Sequence, residues 1–262
     1  MKKILRYLSR TLHMSFLLNA AYRMDFIWFV IMMPVFLASE LLGIYFLFAA
    51  GNLERIAGFT FVEFVFVSSL AALTWMFTSL SAIGAGLIVR QINSGHIDMF
   101  LLKPLPFSIA VIGQKFYIKR FLQIFVRIII LICVLYFGKL TLSILQVFQI
   151  LYVLATSLIL YYALFIAAES LSFRFANLDM GNVLYDTIDQ TTYYPAAVYP
   201  AMMRFIFTYI LPIFLLVNPV YLILKNEYSF THVITAFVIT FLWILIAWYF
   251  WTEGKNAYES AN

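Results

Sequence analysis

Long apolar runs separated by short polar stretches dominate the chain. They cover residues 26–48, 59–89, 117–137, 145–171 and 230–252, and few charged side chains interrupt them. A helix needs about 20 residues to cross ~30 Å of hydrocarbon, so each run is long enough to span a membrane. The pattern predicts an all-α polytopic membrane protein in which these runs are spans 1 to 4 and span 6.

The segment 178–224 departs from this pattern. It carries three aspartates and then four prolines, which are Asp179, Asp186, Asp189, Pro195, Pro200, Pro212 and Pro219. Two arrangements are open: either 180–194 is a polar fifth span and 195–224 dips in and out as outer re-entrant helices, or 201–224 is itself the fifth span. Broken helices at membrane depth require surrounding protein or a water-filled cavity. Both arrangements give six transmembrane helices.

The first 23 residues predict a helix with two unlike faces. Basic and apolar side chains each recur every three or four residues, so they lie on opposite sides of the helix. The basic side has Lys3, Arg6, Arg10 and His13, and the apolar side has Leu5, Leu8, Leu12 and Phe16. This is typical of a helix that lies in the plane of the membrane surface. A signal peptide is the rival interpretation, but the apolar stretch 14–21 is short and contains Asn19.

Composition narrows the class of protein. Of 262 residues, 65% are hydrophobic and 11% are charged, against about 45–50% and about 25% in soluble domains. These values exclude a soluble enzyme, a disordered chain and a secreted disulfide scaffold. The single cysteine, Cys133, lies in an apolar run, so the sequence has neither a disulfide framework nor metal-ligand spacing.

Basic residues predict the orientation. With the N-terminus in the cytoplasm, twelve Lys and Arg residues fall in inner segments, and three fall in outer ones: Arg55, Lys139 and Lys225. This positive-inside bias predicts that both termini are cytoplasmic. The net charge of +5 therefore reports membrane orientation rather than nucleic-acid binding.

One predicted cytoplasmic loop, residues 90–106, has an unusual pattern. Ser94 can cap a short helix whose apolar residues Ile97, Leu101 and Leu102 share one side, and two prolines end it. An ordinary loop between spans has no capped amphipathic turn. The pattern is compatible with a docking element for a soluble partner and equally with an interfacial anchor that touches only lipid.

Three stretches resemble the membrane subunits of ABC-2 type transporters. Residues 92–104, Ile-Asn-Ser-Gly-His-Ile-Asp-Met-Phe-Leu-Leu-Lys-Pro, are similar to the cytoplasmic signature of the branch described as ABC-2 family transporter protein. Tyr-Pro pairs at 194–195 and 199–200, followed by Arg204 and Pro212, resemble a second stretch of that branch. Residues 251–260 resemble its C-terminal end. The departure is His96, where the branch more often has an acidic or small polar residue.

The resemblance implies a permease that pairs with a second permease, identical or paralogous, and recruits a cytoplasmic nucleotide-binding ATPase. The loop after span 2 would be the coupling helix, and its docking residues would be Gly95, His96, Asp98, Leu101, Leu102, Lys103 and Pro104. The N-terminal helix would be the connecting helix, and the Pro-rich segment would supply re-entrant helices. Such subunits mostly export, and the implied location is the bacterial plasma (inner) membrane.

The sequence supports the assignment of ATP hydrolysis to a separate subunit. It contains no Gly-x-x-x-x-Gly-Lys-Ser/Thr loop, whose backbone N–H groups would cradle a nucleotide's phosphates. ATP and Mg are therefore expected on the partner ATPase, with no cofactor bound by this chain and no catalysis by it.

Polar residues at predicted membrane depth are the candidates for a transport pathway, because such residues usually face a bundle interior or a wet cavity. Arg127 and Glu169 fall in the inner halves of adjacent spans, and we expect them to form an ion pair. In a second group, Asp186 and Asp189 are three residues apart on one helical face, and Tyr193 and Tyr194 follow closely. That face lines the seam between permeases or belongs to a solvated cytoplasmic loop.

Two other function classes compete with this interpretation. An ion-driven secondary transporter would fit intramembrane acids and broken helices, but the two halves of the chain show no repeat. A membrane-embedded enzyme needs clustered metal ligands or an activated nucleophile, and the sequence offers neither.

Overall fold

The computed structural model describes residues 2–50, 56, 58–175, 179–191, 194 and 196–257. Within these residues, the regular secondary structure is helical. The α-helices, in chain order from α1 to α12, are Lys2–Ala21, Arg23–Ala50, Phe61–Ala85, Ile88–Asn93, Asp98–Leu101, Phe107–Ile112, Lys119–Phe137, Ile144–Ser170, Met180–Thr191, Ala201–Phe205, Val217–Leu224 and Phe230–Ala257.

Five of these helices, α2, α3, α7, α8 and α12, are long and apolar enough to cross a membrane. Ala201–Ile210 and Ile213–Leu224 pass the same test only as a pair, and the pair is bent by 78°. The protein is therefore a multi-pass membrane protein, and its described part is helical with five candidate spans, or six if the bent pair counts as one. The predicted all-α class is confirmed at this level.

Helix α3 lies at the centre of the bundle, packed against α7 and α8, while α12 packs against α8. Ser69, Ala71 and Ala72 of α3 are fully buried, because small side chains let helix backbones approach closely. The hydroxyls of Thr74 and Thr78 donate to carbonyls one turn earlier, at 2.9 and 3.0 Å. These polar groups are therefore satisfied within their own helix.

Helix α2 is peripheral, and few of its residues are buried. It makes its contacts with α1, α3 and α7. Pro34 lies inside this helix, at a position where the exposed face leaves room for the altered backbone hydrogen bonding that proline imposes.

One end of the bundle, which we call the basic end, gathers α1, the three short helices α4 to α6, the start of α7 and the end of α12. The Tyr7 hydroxyl of α1 donates to the carbonyl of Ala110 at 2.7 Å. At the start of α7, Lys119 Nζ lies 2.6 Å from a carboxylate oxygen of Asp25. The ring of Trp251 near the end of α12 packs on Phe107, with centroids 5.5 Å apart.

The segment after α8 covers α3 in two separate pieces. Ile188 of α9 shares an apolar cluster with Trp75, which lies in the second half of α3. Val220 of α11 shares another with Phe64, at the start of α3. At 1.5 Å per residue, α9 is about 18 Å long and α11 about 12 Å. Neither helix alone crosses ~30 Å, but together they match it.

The bent pair leaves both arrangements considered for 178–224 open, because it can be one broken span or a re-entrant loop. Between α9 and α11 the chain leaves the bundle through α10 and a π-helical turn, Ile206–Ile210. It returns at Ile213, whose carbonyl accepts a hydrogen bond of 2.8 Å from the buried Tyr161 hydroxyl. Pro212 and the polar character of α9 explain the break, because proline interrupts the helical hydrogen bonds.

The end opposite the basic end is closed by polar contacts. Ser143 begins α8 with a capping box completed by Gln146. The Gln146 amide also donates to the carbonyl of Ile223 at 2.9 Å. Lys225, just after α11, lies 2.6 Å from the carboxylate of Glu63 in the first turn of α3. These contacts fix the end of α11 against α3 and α8.

The contact between α8 and α9 gives a stability prediction. A Cβ added to Gly181 would stand 1.6 Å from Glu169 Oε1 and 2.8 Å from Glu169 Cγ, so the stem of the glutamate is also in the way. We expect Gly181→Ala to cost about 1–3 kcal/mol, as overpacking does. In a Glu169→Ala background the same change should cost less than half as much. Melting temperatures of the four purified proteins in detergent measure both values, and equal costs in the two backgrounds would contradict the described contact.

Candidate functional site

The loop predicted at 90–106 forms part of a compact unit of three short helices, α4 to α6, which we call the short-helix segment (residues 88–112). Gly95 turns the chain between α4 and α5 with φ of +69°. A Cβ at this position would meet no atom within 4 Å. Glycine is therefore favoured for its left-handed backbone and not for lack of space.

The predicted role of Ser94 as a helix N-cap is wrong. Ser94 instead ends α4 at its C-terminal side, and Ile97 precedes α5 without any side-chain cap. The Ser94 hydroxyl lies 3.3 Å from the carbonyl of Gln91 and 2.7 Å from Nδ1 of His96. It therefore stabilises the turn around Gly95 from its outer side.

The short-helix segment has a buried and an exposed face. Ile88, Ile92, Ile97 and Phe100 are buried and pack with Phe165 and Phe173, at the end of α8 and just beyond it. Met99 and Leu102 point outward, with 54% and 85% of their surface exposed. The prediction that Ile97 and Leu102 share one side is therefore wrong: α5 is a single turn, and the two residues lie on opposite faces.

The remaining predicted docking residues stand around this outer face. His96 and Pro104 are exposed, while Gly95, Asp98 and Lys103 are half-buried. Asp98 lies in the first turn of α5, where a negative charge interacts favourably with the helix dipole. The side chain of Leu101 lies outside the described residues.

Helix α1 holds the short-helix segment from one side. Lys103 Nζ lies 4.0 Å from the centroid of the Phe100 ring and 5.0 Å from that of Tyr7, and burial lowers the pKa of Lys103. Burial likewise raises the pKa of Tyr7. Further along α1, the Ser15 hydroxyl accepts a hydrogen bond from the backbone N–H of Phe116 at 3.2 Å. The segment is therefore fixed to both α1 and the bundle.

The expected ion pair between Arg127 and Glu169 is not present. Arg127, near the middle of α7, instead contacts the carboxylate of Glu40 in α2. Both residues are largely buried, and this contact holds the otherwise exposed α2 to the bundle. Sequence spacing suggested the wrong partner because it gave depth in the membrane but not which helices are neighbours.

Glu169 instead lies near the end of α8, where that helix meets α9 and the end of α3. It is fully buried, and both carboxylate oxygens lack a hydrogen-bond partner among the described residues. Glycines face it from two sides, Gly181 of α9 and Gly86 after α3. Asp179, at the start of α9, adds a second negative charge nearby.

The four residues predicted to share a seam are divided by the structure. Asp189 faces inward, where it accepts a hydrogen bond of 2.5 Å from Trp75 Nε1 and lies 3.7 Å from Arg120. Asp186 is exposed. Tyr194 packs on Phe64, and Tyr193 lies outside the described residues.

Sequence reasoning missed three members of the inward network. Trp75, Arg120 and Tyr185 were not singled out, although Arg120 donates a hydrogen bond of 2.5 Å to the Tyr185 hydroxyl. Arg120 was counted only as an orientation signal. Its position one residue into a span, beside the polar α9, was the available indication that it pairs inside the protein.

These features define a class: a multi-pass helical membrane protein with a bent helix pair before its last helix and a unit of short helices at the basic end. Residues 34–262 match the family model described as ABC-2 family transporter protein. The chain belongs to that family and is a membrane permease of the ABC transporter type. Such permeases are generally non-catalytic and generally pair with a nucleotide-binding ATPase. No curated protein and no solved structure matches the chain.

The pair between α2 and α7 can be tested by removing one or both charges. Arg127→Met leaves the Glu40 carboxylate without its cation at membrane depth, and we expect a loss of about 3 kcal/mol. Adding Glu40→Gln removes the orphaned charge and should restore most of that loss. Melting temperatures of both variants in detergent decide the point. If the double variant is less stable than Arg127→Met, the two residues do not compensate each other.

Proposed function

We propose that this chain is the permease subunit of an ATP-driven exporter in the bacterial plasma membrane. It forms the transport pathway with a second permease and is driven by a separate cytoplasmic ATPase that binds ATP and Mg. The observation that carries the proposal is the short-helix segment, whose inner face is fixed to the bundle while its outer face presents apolar side chains.

The outer face suits a protein cleft better than a lipid surface. Leu102 and Met99 stand among exposed polar residues, which include Asn93, Ser94 and His96. A helix that lies in the membrane interface needs a continuous apolar stripe, whereas a protein interface typically places a few apolar anchors inside a polar rim. This favours the docking interpretation over the interfacial anchor.

The inner face provides a route for transmission. The short-helix segment follows the central helix α3 and precedes α7, and its buried side packs on Phe165 and Phe173. A displacement of the segment by a docked ATPase would therefore act on α3, α7 and α8 together. Coupling requires that the ATPase contact the segment differently in its two states.

The polar face of α9 is the observation that supports a second permease. Asn182, Asp186 and Gln190 repeat every fourth residue and are all exposed, so they form one polar face. Polar and ionisable side chains do not face lipid without a large cost. A second permease, or a passage that the two permeases enclose, is the surrounding that this face requires.

Orientation follows from the basic residues. The basic end carries α1, the helices α4 to α6, the start of α7 and the end of α12, and twelve of the 17 Lys and Arg residues lie in or beside these elements. By the positive-inside rule this end is cytoplasmic, and it is the end that an ATPase would reach.

Leu102 offers a direct test of docking. It is 85% exposed, so Leu102→Asp should leave folding unchanged while placing a charge at the centre of the apolar contact. We expect at least a tenfold loss of the ATPase that co-purifies from the native host membrane, because removing a central apolar anchor typically costs 2 kcal/mol or more. Leu102→Met, which keeps the apolar contact, should retain the partner.

The readout is quantitative mass spectrometry of nucleotide-binding subunits, normalised to the amount of permease. Equal melting temperatures of the two purified variants serve as the folding control. An Asp variant that captures as much ATPase as the Met variant would refute the docking role.

A further inference from the structure

A largely apolar cavity of about 680 Å³ lies at the basic end, where the end of α1 and the starts of α2 and α7 meet. This volume is in the range of small-molecule sites. Among the residues that line the cavity, Asn19 and Arg23 are polar and the others are apolar. The cavity has no part in the proposed docking of the ATPase.

The polar lining residues lie at one end of the cavity. Arg23 is the first residue of α2, and Asn19 precedes it by four residues near the end of α1. Along α7 the lining extends from Ile118 to Phe125, a distance of about 10 Å at about 1.5 Å per residue. The cavity is therefore polar where α1 meets α2 and apolar further into the bundle.

The charge available at the polar end is positive. The three helices that form the cavity contain two acids, Asp25 and Glu40. Each is paired with a cation of α7, Asp25 with Lys119 and Glu40 with Arg127. Arg23 is exposed and forms no ion pair among the residues that the structure describes. Its guanidinium group is therefore available to an anion.

The apolar lining is open to the outside of the molecule. Ile27, Phe121 and Phe125 line the cavity and are exposed, and both helices that carry them are candidate membrane spans. In a membrane, such a surface meets lipid acyl chains. A molecule that matches the cavity therefore has an anionic group at the membrane surface and an apolar chain below it.

An anionic phospholipid has this arrangement, and basic sites at the cytoplasmic ends of membrane helices bind anionic headgroups. Arginine suits a phosphate because its guanidinium group can donate two parallel hydrogen bonds. We propose that this cavity binds an anionic phospholipid, with its phosphate at Arg23 and an acyl chain along Phe121 and Phe125. Binding requires neither the ATPase nor transport, so the site and the proposed function can fail separately.

The probes are dioleoyl phosphatidylglycerol and dioleoyl phosphatidylcholine, which have the same acyl chains and differ in headgroup charge. Native mass spectrometry of the full-length permease in detergent gives the dissociation constant of the first bound lipid. We expect phosphatidylglycerol to bind at least tenfold more tightly, because the choline cation of the other lipid offsets its phosphate beside Arg23. Equal affinities would overturn the proposal.

Two arginine variants separate a site from a diffuse attraction to the basic surface. Arg23→Gln should weaken phosphatidylglycerol binding at least tenfold at an unchanged melting temperature, because it removes the charged donor. Arg10→Gln, at an exposed arginine of α1 outside the cavity lining, is the matched control and should bind like the unmodified protein. Equal losses in the two variants would refute the site.

Ala20→Trp tests the apolar part of the cavity. Ala20 is exposed and lines the cavity, so the indole would occupy space meant for the acyl chain. We expect at least tenfold weaker binding of both lipids, equivalent to losing the burial of about two CH₂ groups. The same spectra report the oligomeric state, and a dimer that Ala20→Trp dissociates would overturn the proposal in favour of a second copy. If Ala20→Trp is unstable, the arginine variants decide.

Discussion

Burying an unpaired charge in the membrane interior costs free energy. The architecture of this chain therefore depends on how its few charges are paired. Arg127 and Glu40 join α7 to α2, Arg120 and Asp189 join α7 to α9, and Lys225 and Glu63 join the end of α11 to α3. Each pair links helices that are distant in sequence. Apolar packing in lipid is weakly directional, so these polar contacts select which helices are neighbours.

The same constraint explains why the chain between α8 and α12 is broken into short helices. A continuous polar helix here would expose Asp186 and its polar neighbours along the full depth of the membrane. The chain instead keeps α9 short, at the basic half of α3, and covers the other half with the apolar α11. The polar part is thereby confined to the half of the bundle where Arg120 and Trp75 can satisfy Asp189.

The elements that could be predicted from the sequence are those set by local pattern. Apolar run length predicted the long helices, and Pro104 with Pro106 predicted that a short helix in 90–106 ends before them, as α5 does. The orientation of α5 within that segment could not be predicted, because a single turn lacks a repeating pattern and the cluster that buries Ile97 includes Phe165 and Phe173, which are distant in sequence. The partner of Arg127 also could not be predicted, since it depends on which helix lies beside α7.

Glu169 differs from the paired charges in having no hydrogen-bond partner for its carboxyl oxygens among the described residues. It lies on α8 where that helix meets α9 and the end of α3, with its carboxyl group against Gly181. A buried carboxyl group without a partner cannot select a neighbouring helix by attraction. At this point the contact between α8 and α9 therefore depends on close packing against glycine and not on a charge pair.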